Sequence, residues 1–233
     1  MSQDNPVLSP VPSSAPAGSI GAAQQRVLRN TYLLLAISLV PTVIGALVGM
    51  ATGFSLAKTN PILSIVLFLG IAFGFFYAIE KTKNSAWGVA ILLAFTFFMG
   101  FMLSGLLTKI MSLRDGGMMI ATAFGGTAAI FMAMASLGTV IKRDLSKMGK
   151  FLFIGVIMLL IAGIANVFLQ MPALYIALSV IAIGIFSAFM VYDINQIVTG
   201  GETNYISATL NLYLDIYNVF SNLLALLGIT SSD

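Results

Sequence analysis

From Phe151 to Tyr192 the chain carries no charged residue, and this stretch constrains the fold more than any other feature. A soluble domain keeps roughly a quarter of its residues charged. A bilayer reverses that demand, because a charged side chain in hydrocarbon costs from about 2.5 kcal/mol upward. The stretch is too long for one membrane span, which needs roughly 20 mainly apolar residues. Gln170-Met171-Pro172 divides it in two, since proline lacks the amide hydrogen and suits the first turn of a new helix. The rest of the chain agrees: of 233 residues, 59% are apolar and only 8% charged, with a mean hydropathy of +1.02.

Five further spans follow from the same reasoning. Thr31–Ala51 comes after Arg26 and Arg29, and Pro61–Ile79 is stopped by Glu80, Lys81 and Lys83. Ala86–Leu107 ends at Lys109, and Gly116–Ile141 runs into Lys142-Arg143-Asp144. The last, Tyr205–Ile229, follows the breaker Thr199-Gly200-Gly201. The expected fold is therefore an all-α bundle of seven transmembrane helices occupying residues 26–233. Residues 1–25 hold four of the seven prolines and lack the charged start and apolar run of a signal peptide. They read as a disordered tail.

Lys and Arg in alternate loops set the orientation. With the N-terminus inside, the inner segments hold Arg26, Arg29, Lys81, Lys83, Lys142, Arg143, Lys147 and Lys150, and the outer ones Lys58, Lys109 and Arg114. Eight against three favours a cytoplasmic N-terminus, and seven spans then put the C-terminus outside. The net charge of +3 is topology rather than nucleic-acid binding, for no basic stripe is interleaved with aromatics. With no Cys and no His, thiolate metal sites and the usual general base of nucleophilic catalysis are absent. Gly45-x-x-x-Gly49 and Gly70-x-x-x-Gly74 read as close helix packing.

The last span carries polar residues where lipid would reject them. Ser207, Asn211, Asp215, Asn218 and Asn222 recur at helical spacing and share one face. Such a face must meet other helices or water, which makes the last helix the central one. A second carboxylate, Asp193, lies at the inner end of the sixth span. Counting from the turn, Asp193 and Asp215 differ in depth by only about 7 Å at 1.5 Å per residue, so the two can meet. Such a pair shares a proton and senses pH, and once ionised it offers hard oxygen ligands to Ca²⁺. Alternatively, Asp193 is a wetted helix-end residue and Asp215 is satisfied by the asparagine stripe.

At these residues the chain resembles the Bax inhibitor-1, or transmembrane Bax inhibitor motif, family. The resemblance is carried by Tyr192-Asp193-Ile194-Asn195-Gln196, by Leu212-Tyr213-Leu214-Asp215-Ile216-Tyr217-Asn218-Val219-Phe220 and by the ending Leu223–Gly228. Val27–Tyr32, Phe124–Ala128 and Gly200–Ile206 resemble the proteobacterial subgroup that modulates the membrane protease FtsH. The resemblance implies a bacterial inner-membrane protein with no cofactor, a cytoplasmic N-terminal tail and the FtsH complex as a partner beside the lipid bilayer. It also implies an alternative. Calcium-leak members use an aspartate pair as a pH-sensitive latch, and the matching positions are Asp193 and Asp215, with Asn211, Asn218 and Asn222 as the polar seam. Leak members place a basic partner on the second helix, where this chain offers only Lys81 and Lys83 at the inner end.

An enzyme is not expected. Intramembrane aspartyl proteases also pair two aspartates, one after a tyrosine as in Tyr192-Asp193. They need Gly-x-Gly-Asp at the second, where the chain has Leu212-Tyr213-Leu214-Asp215, and their Pro-Ala-Leu follows both aspartates, whereas Pro172-Ala173-Leu174 precedes them.

Overall fold

The computed structural model describes residues 21–53 and 61–230. They form seven helices and, among the described residues, no strand: α1 (Ala22–Thr52), α2 (Pro61–Thr82), α3 (Ala86–Met111), α4 (Gly116–Val140), α5 (Ser146–Leu169), α6 (Pro172–Thr199) and α7 (Tyr205–Thr230). All seven are long and apolar enough to cross a membrane. Each expected span is found. Most run a turn or two longer than their apolar cores, because helices continue into the interface where charge is tolerated. α1 begins at Ala22, so residues 22–25 of the expected tail are helical. Residues 1–20 of that tail, Lys58 and Asp233 lie outside the described residues.

The two turns around α6 follow from their sequence. Gln170 takes a left-handed conformation (φ 51°) and ends α5, its N–H donating to Asn166 O at 2.8 Å. The Asn166 side chain then accepts the N–H of Met171 at 3.1 Å, and Pro172 opens α6. At the other end Gly200 adopts φ +83°, a conformation that costs a Cβ-bearing residue about 1–2 kcal/mol. It closes α6.

α7 is the hub. It packs against α1, α3, α4 and α6 and touches α2, while α5 leans on α6. One face of α7 docks through polar anchors: Thr209 Oγ1 donates to Thr31 O, Tyr213 OH meets Thr42 and Thr96, and Tyr217 OH donates to Met99 O. α1 and α3 approach until backbones touch. Gly45 lies against the Phe97 carbonyl, Gly49 against Ser104, and Gly100 against the Thr42 carbonyl. Gly70 and Gly74 behave otherwise: a Cβ on either would meet nothing within 4 Å. α2 instead attaches to α3 through phenylalanines, Phe68 and Phe75 on Phe98, and Phe75 and Phe76 on Phe95. Its glycines therefore serve no helix packing within this chain.

Candidate functional site

α6 and α7 are antiparallel around the Gly200 turn, and the residues nearest that turn face each other. Asp193, in the penultimate turn of α6, is 8% exposed, and Asp215, in the middle of α7, only 4%. The two carboxyl groups act on one another across the α6–α7 seam. Two interacting carboxyls taken out of water resist being ionised together. The other charged group acting on Asp193 is Glu202, in the turn itself. Asp215 Oδ2 is buried with no hydrogen-bond partner.

Asp193 forms the floor of a cavity of about 140 Å³, lined also by Tyr192, Gln196, Gly201, Glu202, Ala208 and Asn211. A volume of this size holds several waters, each claiming about 30 Å³. Its rim is the α6–α7 turn, where Glu202 accepts the N–H of Asn204 at 2.7 Å. Asn204 in turn caps α7 by accepting the N–H groups of Ile206 (2.9 Å) and Ser207 (3.2 Å). Its amide also reaches the α2–α3 turn, donating to Lys83 O at 3.0 Å and Asn84 Oδ1 at 2.9 Å.

The asparagine stripe divides. Asn211 lines the cavity and is exposed, whereas Asn218 and Asn222 are half-buried. Their amides donate back along α7, to Leu214 O and Asn218 O, each at 2.8 Å. The two lysines considered as basic partners are engaged elsewhere. Lys83 pairs with Glu80 at 2.5 Å, and Lys81 lies over the Tyr77 ring, 5.3 Å from its centre.

Sequence reading missed the contribution of the α4–α5 turn. Fully buried Asn195 donates from Nδ2 to Ile141 O at 2.6 Å, pinning the end of α4 to α6. Beside it, Asp144 Oδ1 accepts from Ser146 Oγ at 2.5 Å and Ser146 N at 2.8 Å. The Ser146 hydroxyl, then its amide, hold the Asp144 carboxyl below the usual carboxylate range. The Asp-x-Ser spacing of this turn was the available signal. Among the described residues no group of three or more His, Cys, Asp or Glu side chains is placed to hold a metal ion.

A seven-helix bundle with a central last helix and two buried carboxyls defines a class of membrane protein, and comparison with known proteins identifies it. The family model described as Inhibitor of apoptosis-promoting Bax1 matches residues 24–232. The chain belongs to the Bax inhibitor-1 family. It is 38% identical over 208 residues to an Escherichia coli K12 protein named Modulator of FtsH protease YccA, covering 89% of this chain and 92% of that one. An uncharacterized membrane protein of Vibrio cholerae is 36% identical over 208 residues, covering 89% and 91%. A Pseudomonas aeruginosa protein is 36% identical over 215 residues, covering 91% and 94%.

Proposed function

We propose that this multi-pass protein sits in the bacterial inner membrane and modulates the protease FtsH. The observation that carries this reading is the end-to-end similarity to YccA, named as a modulator of that protease. The bundle suits the role. A protease that extracts its substrates must pull α1 from α3, and there the two backbones touch at Gly45, Gly49 and Gly100. The N-terminal segment ahead of α1 supplies the point of engagement, on the cytoplasmic side favoured by the Lys and Arg distribution. The protein is then a substrate that FtsH grips and fails to unravel. In proteoliposomes, the full chain slows FtsH cleavage of a second membrane substrate, and removal of residues 2–20 abolishes that inhibition while α1 stays whole. Equal inhibition by both forms ends the proposal.

A second reading is favoured by the burial of two mutually interacting carboxyls, Asp193 and Asp215, on adjacent helices. As a pH-sensitive latch, the pair closes a cation leak while it shares a proton and parts when both groups ionise. Ca²⁺ is the ion that two hard carboxylates attract best, yet it requires six to eight oxygen ligands. Two carboxyls and the cavity's amides thus serve a passing ion rather than a resident one. Liposomes loaded with a Ca²⁺ dye should fill faster on the alkaline side, and an absence of flux on both sides removes this reading.

A further inference from the structure

Gln196 follows Asp193 by three residues, so the two share a face of α6, and both line the cavity. Three features fix this side chain in an unusual place. Its main-chain carbonyl accepts the N–H of Glu202 at 3.0 Å, binding the α6–α7 turn to it. Its Oε1 lies directly against Gly201, where a Cβ would collide with it. Gly201 is not held by a positive φ; a Cβ there would have to displace the end of the Gln196 side chain. The third feature is Nε2, which is buried and makes no hydrogen bond, although Asp144 on the α4–α5 turn is near enough to feel it. Asp144 is itself fixed by Ser146 and by the Asn195–Ile141 clamp next to Gln196. A buried amide donor left without a partner is costly, and the Asp144 carboxyl is the acceptor this one acts on. The side chain therefore lies between Gly201 of the α6–α7 turn and Asp144 of the α4–α5 turn, beside Asp193 in the cavity wall.

We propose that Gln196 is the bar across the mouth of the cavity, seated on Gly201 at one end and directed to Asp144 at the other, and that it controls access of water and cations to Asp193. Swinging the amide fully onto Asp144 satisfies Nε2 and draws the side chain off Gly201, which uncovers the carboxyl pair. The residue does not itself bind an ion; it positions the entrance. This use of the entrance rests on the leak reading, but the access it governs can be measured without any flux.

The chain contains no cysteine, so one introduced thiol reports alone. Ala208 lines the cavity and is 1% exposed, and Ala208→Cys places a thiol behind the bar. Its rate of modification by a small cationic methanethiosulfonate is compared in the full-length protein with and without Gln196→Ala. Shortening the bar should raise that rate at least roughly tenfold, because reaction through a minor open state scales with its population. Gly201→Ala, which unseats Oε1, should raise it as well. Exposed Ser85→Cys, at the same end of the bundle, should react equally in all backgrounds. An Ala208→Cys rate unchanged by both substitutions overturns the proposal even where liposomes show flux. Should Ala208→Cys not fold, Asp193→Cys, buried on the same cavity, replaces it with the same outcomes. Absent flux with faster labelling sinks the leak reading and leaves the bar standing.

Discussion

The phenol oxygen of Tyr213 lies 2.9 Å from Thr42 Oγ1 in the centre of the bundle, joining α7 to α1. The same hydroxyl lies 3.3 Å from Thr96 O on α3, and Thr42 Oγ1 lies 2.8 Å from Ser38 O. Two hydroxyl protons thus serve two carbonyls and the contact between the hydroxyls themselves. Either Thr42 donates to Tyr213 and Tyr213 to Thr96, or Thr42 donates to Ser38 and Tyr213 to Thr42. Three helices depend on one tyrosine.

Tyr213→Phe keeps the ring, which packs edge-on to Phe95, and removes only the hydroxyl. The expected loss is about 0.6–2 kcal/mol, the range for interhelical hydrogen bonds within membranes. Thermal or SDS-induced unfolding in detergent measures it. A Tyr213→Phe protein as stable as the wild type would show that Thr42 and Ser38 satisfy each other alone.

The two glycine pairs separate sharply. A methyl at Gly100 would strike the Thr42 backbone, which cannot turn aside, whereas one at Gly70 meets nothing within 4 Å. Gly100→Ala should destabilise by about 1–3 kcal/mol or more, while Gly70→Ala should be neutral or slightly stabilising, as alanine is the better helix former. The same unfolding assay ranks them. Equal effects would mean that α1 and α3 are not in backbone contact.

This contrast marks how far the sequence can be read. Seven spans and the break at Gln170-Met171-Pro172 are legible because hydropathy and proline act locally. The burial of Asp193 and Asp215 on facing helices is legible because a short turn between antiparallel helices sets their depths. Gly45-x-x-x-Gly49 and Gly70-x-x-x-Gly74 are the same motif, yet only the first faces a helix of this chain. Rotation of a helix about its own axis depends on its neighbours, here the phenylalanines of α3 that turn α2 away. The roles of Gln196 and Asn195 are hidden for a similar reason. The groups they face, Asp144 and Ile141, come from a distant turn whose position only the packing of α4 on α6 decides, with Gly138 close against Val191 O and Ile194.

Asn204 joins two turns that carry no other tie of this kind to each other: its amide reaches Lys83 O and Asn84 while its oxygen caps α7. Asn204→Ala loses the cap, at about 0.5–2 kcal/mol, and frees the α2–α3 turn. Amide exchange at Ile206 and Ser207 should accelerate. Exchange as slow as in the wild type would show that the cap is redundant.

The aspartate pair gives the last prediction, and its sign comes from counting protons. In the proposed latch, the closed pair of Asp193 and Asp215 holds one proton that the parted, doubly ionised pair has released. The closed arrangement binds more protons, so raising the pH must favour the parted one. Asp215→Asn keeps the shape and supplies an amide donor that bonds to ionised Asp193 without a shared proton. Its closed form should therefore persist on the alkaline side, and Asp193→Asn should behave alike. The double variant should resemble either single one, since residues acting as a unit are not additive. The distance between spin labels on the α6–α7 turn and the α4–α5 turn, followed across pH, reads the opening directly. Wild type should lengthen as pH rises while all three variants stay closed. Identical pH profiles in wild type and both single variants would place the switch outside the pair.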